Sequence, residues 1–314
     1  MPKNILTVTL NPAIDETIAL EALRPGHVHR AMAVSRHAGG KGVNVASCLA
    51  DWGGASISVT GFIGRENKGI FEALCAGKRL HDVFVRVPGE TRTNIKLAHD
   101  GDTTDINLPG LAVSDEAFHE LWGVIDRVVD AHSIVLLAGS LPPGVPSGIY
   151  AEMMAALRAT GARVLLDTSG APLAAALAGG ALPFCIKPNR MELEEFCGHA
   201  LPTQAALIAA ARKLGMELVV ISLGADGALF VGDLVLHAML PAIRAESTVG
   251  AGDAMVAGII SAMADGGDFE TIARRATAFA AGKLGKAGPN LPERHIINTL
   301  AEQVKINIVR DQEI

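Results

Sequence analysis

Short, nearly unbroken apolar runs alternate with stretches of helical spacing from the first residues to Ser222, and few architectures accommodate that pattern. Asn4–Leu10 places Leu6, Val8 and Leu10 on one face, which predicts a strand. A second strand is expected at Ile57–Ile63. Ser133–Ala138 is almost wholly apolar, as a central strand covered on both faces must be. Arg163–Asp167, Phe184–Lys187 and Glu217–Ser222 are of the same kind. Between them lie helical patterns. Ser114 opens one, with Asp115 and Glu116 in its first turn, where carboxylates complement the helix dipole. Phe118, Leu121, Trp122, Ile125 and Val129 make its apolar stripe. Ile149, Met153, Met154 and Leu157 mark another, and Leu207, Ile208, Ala211 and Leu214 a third. The fold class predicted is α/β, with a mostly parallel central sheet flanked by helices and joined by right-handed crossovers.

Two regions interrupt the alternation. Residues of about 15–36 and 84–108 are β-like, rich in polar residues and turn signals (Pro25-Gly26, Pro88-Gly89, Asp100-Gly101), and have no helix between them. They are expected to pair into a small β-sheet lid facing the strand ends. With no linker or repeat in sight, the chain is read as one domain spanning 1–314 that carries this lid.

Composition excludes several classes. There are 27 Lys+Arg against 33 Asp+Glu, a formal net charge of −6, and aromatics make up only 4%. An acidic chain without stacking platforms is not expected to bind nucleic acid. No apolar stretch is long enough for a membrane span, and no targeting segment is evident, so a cytoplasmic protein is expected. Cys48, Cys75, Cys185 and Cys197 form no C-x-x-C pair, and His27 and His29 lack a third ligand, so no disulfide framework or His/Cys metal site is expected. Glycine, by contrast, is in excess: 34 residues where average usage of roughly 7% gives about 22.

Many of those glycines cluster before helices or after strands. Gly39-Gly40-Lys41-Gly42-Val43-Asn44 leads into a helical pattern but fits neither a P-loop nor a dinucleotide fingerprint. Thr248-Val249-Gly250-Ala251-Gly252-Asp253 precedes a helix, where free N–H groups suit an anion. Asp253 beside such a hole is placed to act as base for a hydroxyl nucleophile; its bland alternative is a stabilising first-turn carboxylate. Gly139-Ser140-Leu141-Pro142-Pro143-Gly144, Lys187-Pro188-Asn189 with Glu192, and Ser222-Leu223-Gly224-Ala225-Asp226-Gly227 each follow a strand. Any one of these loops is compatible with a purely steric turn. Together they fall at the carboxyl ends of parallel strands, where such folds bind ligands.

These motifs, in this order, resemble those of the PfkB carbohydrate kinases, which have the ribokinase-like fold. The resemblance runs from Asn11-Pro12-Ala13-Ile14-Asp15 through Ala38–Asn44, Gly139–Gly144, the K-P-N-R-x-E-L segment at Lys187 and Ser222–Gly227 to S-T-V-G-A-G-D-A-M-V-A-G at Ser247. Thr91-Arg92-Thr93-Asn94-Ile95-Lys96-Leu97 with Thr104-Asp105 is similar to the bacterial branch that converts fructose 1-phosphate and ATP to fructose 1,6-bisphosphate. Kinases of tagatose 6-phosphate and fructose 6-phosphate share much of the pattern and stay open as alternatives; a non-catalytic sugar-phosphate sensor is the alternative from another class.

The resemblance implies roles. Asp253 is the catalytic base, and Gly250, Ala251 and Gly252 form the anion hole for the transferred phosphoryl group. Asp15, Gly39, Gly40, Lys41, Asn44 and Ser140 contact the sugar phosphate, with Arg92 on its existing phosphate and Lys96 assisting. Lys187, Asn189, Ser222, Gly224, Gly227 and Thr248 bind ATP, and Asn189 and Glu192 meet Mg²⁺ through water. A homodimer through the lid is implied as well. Three positions depart from the family pattern: His29 in the lid, where Asn is common, and Lys283 and Lys286, where small or hydroxyl residues are commoner.

Overall fold

The computed structural model describes residues 4–240, 250–286 and 288–310. Its large sheet has eleven strands. Along it, from one edge, run Lys305–Ile308, Val235–Met239, Ala228–Val231, Leu218–Ser222, Cys185–Ile186, Arg163–Asp167, Ile134–Ala138, Asn4–Thr9, Ser56–Gly64 and His81–Asp82, with Val85–Val87 also pairing with Ser56–Gly64. The strands from His81–Asp82 to Leu218–Ser222 pair in parallel, and the remaining three close the sheet antiparallel. The antiparallel strands and the helices Phe269–Lys283 and Arg294–Gln303 go beyond the elements expected from sequence.

Alternate residues of each central strand enter cores on opposite faces. Ile134, Leu136 and Ala138 pack with the helices Lys41–Trp52, Ala251–Ala264 and Phe269–Lys283. Val135 and Leu137 pack with Asp115–Val128, Ile149–Thr160 and Gln204–Lys213. Both faces being covered explains the unbroken apolar runs. The helix at Asp115 is capped by Ser114, whose side chain accepts from the Ala117 N–H; Leu121 and Ile125 of its stripe are buried.

The small sheet has four strands in the order Ala33–Gly39, Ala13–Ala19, Thr93–His99, Asp102–Ile106. It therefore starts at Thr93 in its second half, because Val85–Val87 belongs to the large sheet. The registers set His37, Asp15 and Asn94 side by side in one row. They set Val34, Ile18, Leu97 and Thr104 in another, three residues away and hence on the opposite face.

Candidate active site

Parallel registers make Thr9, Ala138 and Asp167 neighbours at the carboxyl ends of three strands, while Ile186, which ends a fourth, pairs with Val219 near the start of Leu218–Ser222. The loops that follow these strands carry Ser140, Lys187, Asn189, Gly224 and Gly227. Against them stands the N-terminus of helix Ala251–Ala264. Its N-cap, Gly250, has φ +81°, a left-handed conformation that suits glycine. The Ala254 N–H bonds the Gly250 carbonyl, and the first-turn N–H groups of Ala251, Gly252 and Asp253 have no backbone acceptor among the described residues.

Asp253 lies in that turn. Helix Lys41–Trp52 packs against it, and Asn44 Nδ2 donates to Asp253 Oδ2 at 2.8 Å across a separation of 209 residues. Burial pushes the Asp253 carboxyl up to about 6; Asp167 adds to the rise, while Lys41, the Asn44 bond and Lys187 oppose it. The result is a carboxylate ionised at neutral pH yet basic enough to take a proton.

Asp167, which sequence reading did not single out, anchors the centre. It is 3% exposed and accepts from Lys41 Nζ at 3.0 Å. Burial alone would raise its pKa, but Lys41 and Lys187 outweigh that and hold it below the usual carboxylate range. Lys41 answers in kind: burial works against its charge, but Asp167 and Asp253 keep it above the usual lysine range. The signal for Asp167 in the sequence was a carboxylate ending an apolar run, where an ion needs a partner. Its Oδ2 stays without a hydrogen-bond partner among the described residues.

Lys187, 7% exposed, follows strand Cys185–Ile186. Its Nζ lies 3.3 Å from the point a Cβ on Gly252 would occupy. Asn189 caps helix Arg190–Cys197 in a reciprocal box: its Oδ1 accepts from the Glu192 N–H and Glu192 Oε2 from the Asn189 N–H, both at 2.8 Å. The Asn189 oxygen expected to meet a metal is thus engaged in the cap. Ser222 bridges to Asn189, and Gly224–Asp226 forms a single 3₁₀ turn ended by Gly227, which packs against the Ala238 carbonyl. Thr248 lies outside the described residues.

The small sheet supplies the other wall. Asp15 Oδ2 accepts from Lys96 Nζ at 3.2 Å and Oδ1 from Asn94 Nδ2 at 3.4 Å. A Cβ at Gly39 would sit 2.7 Å from Asp15 Oδ2, so the residue there must be small. Gly40 caps helix Lys41–Trp52 with φ +111°. Ser140 Oγ accepts from Asn11 Nδ2 at 3.1 Å. Arg92 directs its guanidinium to three backbone carbonyls, Asn11 at 3.0 Å, Leu108 at 3.1 Å and Pro12 at 3.3 Å; two of its five N–H groups have no partner among the described residues. His29 bonds the Arg24 backbone.

Among the described residues no cluster of three His, Cys, Asp or Glu could hold a metal, and no helix is long and apolar enough to cross a membrane. A Mg²⁺ held by one or two carboxylates and substrate phosphates does not need such a cluster. The second oxygen of Glu192, and Oδ2 of Asp167, fit that sparse demand.

The model of the pfkB family carbohydrate kinases matches residues 8–296. A 1-phosphofructokinase of Xanthomonas campestris pv. campestris is 51% identical over 296 residues, covering 90% of this chain and 92% of its own. That of Vibrio cholerae serotype O1 is 38% identical over 98% of both chains. The structure of phosphofructokinase-2 from Escherichia coli in complex with substrates and products superposes with a TM-score of 0.87 at 27% identity, over 95% of this chain and 98% of that one. Arabidopsis thaliana ribokinase complexed with ribose and ATP gives 0.77 at 25% identity, over 96% and 99%.

Proposed function

The chain belongs to the pfkB family of carbohydrate kinases, and we propose that within it the protein transfers the γ-phosphoryl group of ATP to the C6 hydroxyl of fructose 1-phosphate, with Asp253 as base. The fold is ribokinase-like, and the activity is that of a sugar-phosphate kinase. The observation that carries the mechanism is Asp253 itself: a carboxyl raised to about 6, held by Asn44, in the first turn of a helix whose N–H groups point at an incoming anion.

In this reading Asp253 removes the hydroxyl proton as the oxygen attacks in line. The N–H groups of Ala251 and Gly252, the helix dipole, Lys41 and Lys187 receive the charge that spreads over the phosphoryl oxygens. Asp15, with Lys96 and Asn94, orients sugar hydroxyls. The two open N–H groups of Arg92 take the phosphate already on C1, a task for a rigid fork. Glu192 would hold a Mg²⁺ bound with the nucleotide, and that ion would supply charge neutralisation for the phosphates. Lys187, Ser222, Gly224 and Gly227 line the nucleotide side.

The small sheet is read as a lid that excludes water, so that ATP is not hydrolysed. Its outward face carries Val34, Ile18 and Leu97, with Ile106 on the edge strand; this supports a homodimer built face to face. The cytoplasm, where ATP is abundant and the four free cysteines stay reduced, is the fitting compartment.

The test is turnover on a panel of fructose 1-phosphate, fructose 6-phosphate and tagatose 6-phosphate. Fructose 1-phosphate is expected to have the highest kcat/KM, and preference for either other sugar refutes the substrate assignment. Asp253→Asn is expected to lower kcat by about 10²- to 10⁴-fold with little change in either KM. Near wild-type turnover in that variant removes Asp253 from the base role.

A further inference from the structure

Lys283 is 4% exposed, which is rare for a lysine without a carboxylate partner. It is the last residue of helix Phe269–Lys283. A lysine at a helix C-terminus ordinarily complements the dipole from the solvent side. This one turns inward. Its Nζ donates to the Lys286 carbonyl at 2.7 Å, and no carboxylate bonds it among the described residues. Its stem crosses Gly250: a Cβ there would sit 3.2 Å from Lys283 Cε and 3.9 Å from Nζ.

Lys187 stands in the same relation to Gly252, 7% exposed and without a hydrogen-bond partner among the described residues. The two glycines of the turn therefore leave room for two buried ammonium groups beside the free N–H groups of the helix. Burial lowers the Lys283 pKa, while Cys48 and Asp253 oppose the fall. An ammonium kept in so dry a place is stabilised when an anion arrives.

We propose that Lys283 is a positioning cation for the anion-binding turn Gly250–Gly252, fixing that turn and charging it for the phosphate chain of the nucleotide. The inference rests on reading that turn as the phosphoryl site. It asks nothing about which sugar is the acceptor, or about Asp253 as base.

The experiment measures binding of ATP and of adenosine by calorimetry to the full-length protein and to Lys283→Met, Lys283→Gln and Lys283→Arg, each checked by thermal unfolding. Loss of a charge-assisted contact is expected to weaken ATP binding by about 10- to 100-fold in the neutral variants. Adenosine affinity should be unchanged, and Lys283→Arg should retain most of the ATP affinity. In turnover assays the KM for ATP should rise and that for the phosphosugar stay put. Lys283→Ala should regain ATP affinity in ethylammonium chloride and not in sodium chloride of equal ionic strength. Wild-type ATP affinity in Lys283→Gln overturns the proposal. So does an equal loss for adenosine and ATP, or a change confined to the phosphosugar KM. If the wild-type enzyme prefers another sugar while Lys283→Gln loses ATP affinity, the substrate reading fails and this inference stands.

Discussion

At the scale of single residues, Asp253, the base of the proposed reaction, occupies its position at some cost to the fold. Its carboxyl ordinarily titrates near 3.8 and here near 6. Only the ionised form accepts a proton, so kcat/KM is expected to fall tenfold per pH unit below about 6 and to level off above it; a pH–rate profile checks this. Stability runs the other way. The folded state favours the protonated carboxyl, so that contribution is complete below about 3.8 and is lost as pH rises through about 6. Asp253→Asn should therefore stabilise the ligand-free protein at pH 8 by about 1–3 kcal/mol, with no gain at pH 4, as measured by urea unfolding. Destabilisation at pH 8 would mean that the site welcomes the charge. Asp253 was legible in the sequence because a carboxylate follows G-A-G at a helix start. Its neighbours were not: Asn44 reaches it across 209 residues. The Lys41–Asp167 pair joins the first residue of a helix to the last of a strand, which nothing in either local pattern connects.

At the scale of elements, strands covered on both faces were the most readable. Arg163–Asp167 has the expected bounds, and Ile134–Ala138 differs from them by one residue. Helix Phe269–Lys283 was not anticipated, for a physical reason. It meets helix Ala251–Ala264 through small residues, close enough that a Cβ on Gly258 would sit 2.6 Å from the Ala276 Cα. Alanine and glycine contacts of that kind leave little hydrophobic periodicity to detect. The hairpin of Ala228–Val231 and Val235–Met239 is similarly brief. The capping box at Asn189 shows an element serving the site indirectly, since it orients Glu192 and ends the loop that carries Lys187. Asn189→Ala is expected to cost about 1 kcal/mol in denaturant unfolding, while Asn189→Asp, also a good N-cap, keeps most of that stability. Equal stability in both variants would show that the cap holds nothing.

At the scale of the whole molecule, the small sheet has two unlike faces, and its alternation assigns each a task. Asp15, Asn94 and Lys96 share the face toward the large sheet's loops. On the other face Val34 is 54% exposed and Ile106 45%, apolar surface that the proposed dimer would cover. On the proposed dimer, Val34→Asp combined with Ile106→Asp is expected to halve the mass seen by sedimentation velocity. An unchanged mass would place any interface elsewhere. The existence of this sheet was legible in the turn-rich composition, whereas the side from which its strands are entered was not. That depends on Arg92, whose guanidinium holds the carbonyls of Asn11, Pro12 and Leu108, the segments by which the chain enters and leaves the sheet. One consequence concerns length. A guanidinium tied to backbone at three points cannot reach out to its ligand, and Asp253, fixed by Asn44 on a buried helix, cannot either. On the proposed reading the two ends form a rigid caliper, and a phosphosugar is judged by whether phosphate and hydroxyl lie the right number of carbons apart to touch both jaws.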